Sequence, residues 1–370
     1  MTAPDADPAR VAVTVEQAWH RVPGGTATSV LQALAALAQR DDVAVVGVSA
    51  RHRHLPPEAF RPPVPVRQLP LPRPLLYEAW HRLRWPAVQT ATGPVDVVHA
   101  TTFAIPPKRG PLVVTVHDLA FLADPQHFTR RGNRFFRRGL ELTKREADLV
   151  VVPSTATLQE CVAAGVDEDR LRLVPHGVRH LPVAEDRAGA VRRRLGLDRP
   201  YVLWCGTLEP RKNLPTLLTA FAAVARTRPE LDLALVGPTG WGDAGLGSAP
   251  PERVRLVGFL DDPDLHAVYA GARAFCYPSI REGFGMPVLE AMSHGVPVVT
   301  SSGTPMEELV GEAGIAVPAL DTDGVAEALL TATGPAHDDL ARRARERAGR
   351  YSWERAADQL ATVYREVAGR

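Results

Sequence analysis

Residues 206–213 read GTLEPRKN and residues 281–290 read REGFGMPVLE. Both stretches hold side chains suited to a phosphorylated, hydroxyl-bearing ligand. Lys212 is one of three lysines among 43 basic residues, the others being Lys108 and Lys144. Where arginine is the default cation, a lysine beside one of only two asparagines in the chain, Asn213, marks a position that asks for a compact ammonium. The run YVLWC before it reads as a buried strand, and LPTLLTAFAAVA after it as an apolar-periodic helix. Lys212 therefore falls at a helix N-terminus, where free N–H groups and the dipole favour an anion. An ammonium there is repelled unless an anion lies between. This predicts that Lys212, with Arg211 as a second candidate, clamps a diphosphate; the plain alternative is a solvated loop charge. Asn213 fits the helix N-cap and Pro215 the first turn, so capping rather than ligand contact is the expected role of Asn213.

In the second stretch, Gly283 and Gly285 let the backbone approach a ligand closely, and Pro287 opens a helix expected over 287–294. Glu282 and Glu290 bracket this turn with seven residues between them. Glu282 lies in the loop and Glu290 is expected on the first helical turn. Taken singly, each is a surface acid or a helix-dipole partner. Carboxylates are poor partners for phosphate but good acceptors for sugar hydroxyls. Anion-binding N–H groups flanked by carboxylates match a nucleotide sugar, which carries a diphosphate with hydroxyls at both ends.

The elements that must position these residues alternate strand and helix. In the first half VAVTV (11–15), VAVVGV (43–48), DVVHA (96–100), LVVTVHD (112–118) and DLVVVPS (148–154) read as buried strands. Helices are expected at about 25–39, 75–90, 128–146 and 154–164. Residues 55–74 contain eight prolines and should be extended or looping. Residues 175–200 read as a linker leading into a short helix. The rhythm then restarts with strands at 201–206, 231–237, 254–258, 274–279, 296–301 and 314–318. With 370 residues, two domains are the natural expectation. The fold class is α/β: two doubly wound Rossmann-like domains facing a cleft, where such sheets bind ligands at the carboxyl ends of their strands. The expected boundaries are 1–180, 181–350 and a C-terminal helix, 351–370, returning to the N-terminal domain.

Composition narrows the function classes. The hydrophobic fraction of 45% and charged fraction of 23% are those of an ordinary globular protein. Residues 1–180 hold 22 basic and 17 acidic side chains, far short of a nucleic-acid footprint. Cys161, Cys205 and Cys276 are odd in number and widely spaced, which supports neither a disulfide framework nor a zinc site. The start MTAPDADPAR lacks a signal-peptide pattern, and no apolar run approaches the roughly 20 residues of a bilayer span. The expectation is a cytoplasmic protein with no nucleic-acid partner.

Jointly, GTLEPRKN and EGFGMPVLE resemble the retaining glycosyltransferase family 4 of the GT-B fold. In the first half, GGTATSVLQALAALA is similar to that family's glycine loop and helix, TVHDLAFL to its His-Asp loop, and VVPSTATLQE and VPHGV to its domain-closing segments. Mannosyltransferases of polysaccharide assembly are the most similar group. The resemblance implies that Glu282 meets the donor sugar hydroxyls and Glu290 the ribose. It places the amides of Phe284, Gly285 and Met286 along sugar and diphosphate, and Lys212 with Arg211 on the diphosphate. Backbone around Gly258 and Phe259 would meet the base, Gly24 and Gly25 would cover the phosphates, and His117 with Asp118 would face sugar and acceptor. Many members carry Arg directly after the first glycine, where this chain has Thr207, which throws weight onto Arg211. The implied reaction moves a hexose, mannose or glucose, from a nucleotide-diphosphate sugar to a hydroxyl of a glycan, lipid-linked or small-molecule acceptor. It proceeds with retention, through an oxocarbenium-like state in which a leaving phosphate oxygen takes the acceptor proton.

Among twelve histidines, His117 stands out: it ends a strand at the expected site and precedes Asp118, which could orient its ring. The HRH run at 52–54 reads as an exposed loop. Three D-x-D triplets, Asp5–Asp7, Asp262–Asp264 and Asp321–Asp323, suit a tail and two helix caps rather than a metal site, so no obligatory metal or other cofactor is expected. A dinucleotide-dependent oxidoreductase is disfavoured because no G-x-G-x-x-G follows either domain's first strand. The alternatives are an inactive nucleotide-sugar-binding partner, expected to have lost one of His117, Lys212 and Glu282, and a sugar-nucleotide epimerase on the same fold. Finally, RPLLYEAWHRLRW (73–85) and FTRRGNRFFRR (128–138) mix Arg with rings. They read either as two amphipathic helices on the first sheet or as contacts to an anionic membrane surface through Arg134, Arg137 and Arg138.

Overall fold

The computed structural model describes residues 7–20, 24–238, 240 and 251–369. The chain divides into two compact units, residues 1–177 with 352–370, and residues 178–351. Asp5 of the first D-x-D triplet lies outside the described residues.

In the first unit, seven parallel strands form one sheet: β1 (Ala9–Thr14), β2 (Val43–Ser49), β3 (Val66–Gln68), β4 (Val97–Ala100), β5 (Leu112–Thr115), β6 (Leu149–Val152) and β7 (Leu171–Leu173). Their order is β3-β2-β1-β4-β5-β6-β7, so the winding reverses between β1 and β4. The central strands β4, β5 and β6 are buried throughout, because helices cover both faces of a parallel sheet; they therefore read as unbroken apolar runs. The edge strands β3 and β7 are three residues each and only partly buried. They lack that signal, and β3 sits inside the proline-rich segment expected to loop.

The helix expected over 75–90 is two pieces, Arg73–Arg82 and Gln89–Thr92. Pro86 lies between them and cannot supply the N–H that a continuing helix needs. Helix Arg130–Glu146 is capped by Thr129, whose hydroxyl accepts from the Gly132 amide at 3.0 Å. The last helix, Trp353–Ala368, packs on helix Gly24–Leu37 and on β1, β4 and β5 of this unit. It buries Ala356, Ala357, Leu360, Ala361 and Tyr364, a small-residue face that lets the helix lie close.

The second unit repeats the plan with six parallel strands, β8 (Tyr201–Cys205), β9 (Asp232–Val236), β10 (Val254–Gly258), β11 (Ala274–Tyr277), β12 (Val298–Ser301) and β13 (Ile315–Val317). Their order is β10-β9-β8-β11-β12-β13. The winding reverses between β8 and β11, so the loops after these two neighbours diverge to opposite sides and leave a crevice at their carboxyl ends. GTLEPRKN follows β8, and the loop containing Glu282 follows β11. The topology thus brings two segments about seventy residues apart to one point of the sheet.

Candidate functional site

In the second unit, the chain after β8 makes a 3-10 turn, Pro210–Lys212, and then enters helix Leu214–Thr227. Asn213 stands at the N-cap position, but its side chain does not cap the helix amides. Its backbone is left-handed (φ +57°), a conformation asparagine tolerates better than most residues. Its amide donates to the carbonyls of Pro278 (3.1 Å) and Ala319 (2.5 Å), and its oxygen accepts from the Thr216 hydroxyl (2.8 Å). Asn213 ties the β8 loop to the β11 loop, a different job from the cap expected of it.

Lys212, turned inward by this geometry, is 6% exposed. Its ammonium donates to Glu282 Oε1 and to the Tyr277 hydroxyl, both at 2.6 Å, and lies 5.0 Å from the Tyr277 ring centroid. The anion that makes a cation tolerable at this helix N-terminus is therefore Glu282, part of the protein itself. The residue is not a solvated loop charge. Glu282 also accepts from the Ser279 hydroxyl (2.7 Å) and faces the Arg211 guanidinium at 3.3 Å. Arg211 is held in turn by Glu209 at 2.9 Å and the Arg281 carbonyl at 3.1 Å. Burial pushes the Glu282 carboxyl up, but the Lys212 and Arg211 charges and the hydrogen bonds from Lys212 and Ser279 outweigh it, holding the group at about 2. Burial likewise lowers the Lys212 ammonium, and the Glu282 charge opposes that shift. Thr207 contributes no charge.

Glu290 has a separate environment. Helix Met286–Ser293 begins at Met286, which moves Glu290 from the expected first turn to the second. Its carboxylate accepts from the Tyr269 hydroxyl at 3.0 Å, and burial pushes it up to about 7. Two glutamates eight positions apart are thus held in opposite electrostatic settings, one by adjacent cations and one by burial. Between them, Gly285 has φ +105°, and a Cβ there would lie 2.7 Å from Met306 Cγ, so only glycine fits. The Phe284 ring is buried and meets the Tyr351 ring edge-on, which leaves backbone rather than side chain at the start of the helix. Gly258 ends β10 and its carbonyl accepts from the Gly237 amide at 2.8 Å. Phe259, next to it, is 70% exposed, an unsheltered ring two strands away from β8.

In the first unit, His117 lies just beyond β5. Its Nε2 donates to the Thr101 carbonyl at 3.0 Å, which leaves Nδ1 as the acceptor of a neutral ring. Burial lowers its pKa, opposed by the Asp118 charge and the Thr101 bond. Asp118 does not orient the ring as expected; its carboxylate accepts from the Ala120 amide at 3.0 Å, and the Thr101 carbonyl fixes the imidazole. A cavity of about 40 Å³ lies beside it, lined among others by His99, Thr101, Thr115, His176 and Trp353. Burial holds both His99 and His176 down at about 3. Gly24 and Gly25 open helix Gly24–Leu37, and nothing lies within 4 Å of where their side chains would start.

One further sequence reading changes. His52 is not simply an exposed loop residue: it bonds the buried Glu16 carboxylate at 2.9 Å and stacks on Trp19 at 4.5 Å. The described D-x-D triplets sit at helix starts, where Asp261 accepts from the Asp264 amide and Asp321 from the Gly324 amide. The sequence reading missed Tyr277, Ser279 and Tyr269. The available signals were a polar-tipped ring in an otherwise apolar strand and a serine three residues before Glu282.

A model of Glycosyltransferase Family 4 matches residues 23–180 of this chain, and one of Glycosyl transferases group 1 matches residues 199–333. The O-antigen chain mannosyltransferase B of Escherichia coli is 31% identical over 284 residues, which span 73% of this chain and 74% of that protein. The D-inositol 3-phosphate glycosyltransferase of Saccharomonospora viridis is 32% identical over 285 residues, 70% of this chain and 65% of that protein. Among solved structures, Anabaena Alr3699/HepE in complex with UDP and glucose superposes with a TM-score of 0.73 at 21% identity, covering 96% of this chain and 99% of that one.

Proposed function

This chain belongs to glycosyltransferase family 4, with the two doubly wound units of the GT-B fold, and from that premise we propose the donor, the acceptor and the residues of its reaction. It transfers a hexose with retention from a nucleotide-diphosphate sugar, GDP-mannose first among them, to a hydroxyl of a glycan or lipid-linked acceptor. Mannose is favoured by the similarity to an O-antigen mannosyltransferase.

The observation that carries the reading is the Lys212–Glu282 pair at 2.6 Å, at the carboxyl ends of adjacent strands where the winding reverses. On this reading Lys212 is the cation for the diphosphate and Glu282 the carboxylate for sugar hydroxyls. Negative charge grows on the leaving diphosphate, and donors already in place stabilise it without reorganisation. Lys212 and Arg211 supply that charge, so the reaction needs no obligatory metal. Glu290 meets the ribose, Gly258 and Phe259 the base, and Gly285 and Met286 present helix N-terminal backbone to the phosphates. In the first unit, His117 with Asp118 serves the sugar and the acceptor, and Gly24 and Gly25 serve the phosphates. Release of free nucleoside diphosphate should be measured across GDP-mannose, UDP-glucose, UDP-GlcNAc and dTDP-sugars, with and without EDTA. Release from none of them would sink the reading, and loss with EDTA would sink its metal-free form.

A specific surface favours an anionic membrane as the place where the acceptor is met. Tyr77, Trp80, Phe135 and Phe136 turn inward and pack together, as two ordinary amphipathic helices would. Leu75, Leu83 and Trp85 nevertheless stay 59%, 74% and 54% exposed. Arg138 reaches the His81 carbonyl and Arg131 reaches Glu78, so arginines of helix Arg130–Glu146 lie against helix Arg73–Arg82, which carries Leu75. No helix among the described residues is long and apolar enough to cross a membrane. The protein should sediment with anionic vesicles at low salt and release as salt rises. Changing Arg134, Arg137 and Arg138 together to Ala should weaken this, each contributing at most about 1 kcal/mol. Indifference of the wild type to anionic vesicles at low ionic strength would refute it.

A further inference from the structure

A lysine ammonium has three N–H donors at the end of a flexible four-carbon stem. At Lys212 two are engaged, by Glu282 and by Tyr277. Tyr277 closes β11 and is 1% exposed. Its ring is fixed by Phe275 at 5.7 Å and Trp204 at 6.2 Å. The strand AFCY is otherwise apolar, and phenylalanine would fill the same space. A phenol hydroxyl buried there costs free energy unless it is hydrogen-bonded. The partner that satisfies it is Lys212, 65 residues away in sequence. The ring face adds a second contact to the same ammonium.

We propose that Tyr277 is the positioning residue for Lys212: its hydroxyl and ring hold the ammonium in place so that the third N–H is directed at the donor diphosphate. This rests on the assignment of Lys212 to the diphosphate. The hydroxyl keeps its proton over the working range, since burial raises its pKa well above the ordinary value, so the acceptor does not titrate away. A hydroxyl that accepts from an ammonium stabilises the charged form of the lysine. Its removal therefore makes Lys212 lose its proton at lower pH.

The test is calorimetric titration of the full chain with GDP and with UDP between pH 7 and 10. Tyr277→Phe should weaken binding of whichever diphosphate the wild type takes about threefold to tenfold at pH 7. It should also move the alkaline loss of affinity down by half a pH unit or more. A merely structural tyrosine would lower thermal stability and leave that limb in place. In a Lys212→Met background the Tyr277→Phe change should have no further effect on affinity. Superimposed pH profiles for Tyr277→Phe and wild type overturn the proposal, as does an undiminished effect of Tyr277→Phe in the Lys212→Met background. If Lys212→Met alone leaves affinity unchanged, the assignment of Lys212 itself has failed, and with it the basis for Tyr277.

Discussion

Replacing Lys212 by Ala should damage stability and turnover by separate routes, and the two can be told apart. The side chains of Lys212 and Glu282 are 8% and 10% exposed, so removing the lysine strands a buried carboxylate with Arg211 and Ser279 as its remaining partners. Breaking a buried pair in this way costs about 3–5 kcal/mol. Holding Glu282 at about 2 rather than near 4.5 corresponds to about 3 kcal/mol, the same order. A unit of this size should lose roughly 6–12 °C of melting temperature for about 3 kcal/mol. The sign with pH follows: a depressed carboxylate stabilises the fold above its unfolded pKa near 4.5 and stops doing so as pH falls towards about 2. The wild-type advantage over Lys212→Ala should therefore be full at pH 7 and shrink below about pH 4.5. Turnover is the second route. Loss of one preorganised donor to the developing charge costs about 2.7–4 kcal/mol, a hundredfold to thousandfold in kcat. The double variant Lys212→Met with Glu282→Gln removes both charges, so it should recover most of the melting temperature and none of the turnover. Donor-dependent release of nucleoside diphosphate and thermal denaturation, run on all three proteins, decide it. A loss of turnover under fivefold for Lys212→Ala, at a temperature where the variant is folded, would refute the catalytic argument.

Two further outcomes follow from the β11 loop and its helix. The Glu290 carboxyl is raised to about 7, so it contributes stability below about pH 4.5 that is lost as pH rises through 7. Glu290→Gln should therefore raise the melting temperature at pH 8 relative to wild type. It should also abolish a fall in donor KM between pH 6 and 8, because ribose hydroxyls donate best to the ionised carboxylate; a wild-type KM flat over that range would count against the ribose role. Gly285→Ala forces φ +105° on a side-chain-bearing residue and drives its Cβ against Met306. It should cost about 1–3 kcal/mol, seen as a lowered denaturation midpoint, together with weakened nucleoside diphosphate binding; unchanged values of both would refute the account of this turn.

The strand plan was legible along the chain for a physical reason. A parallel strand covered on both faces must be apolar at nearly every position, so LVVT, LVVV and YVLWC announce themselves locally. The scarcity of lysine and asparagine likewise singled out Lys212 and Asn213 before any coordinates. What each of them does was decided by topology. The reversal of winding between β8 and β11 sets Glu282 and Tyr277 against Lys212 and sets the Pro278 carbonyl against Asn213. Glu282 and Glu290 look alike as letters, yet one is held at about 2 and the other raised to about 7. His52, read as an exposed loop residue, found Glu16 in the same manner. Local spacing fixes residue type and periodicity. Ionisation and hydrogen-bond partners depend on which atoms the fold brings within 3 Å across dozens of residues, and on how much water it leaves there.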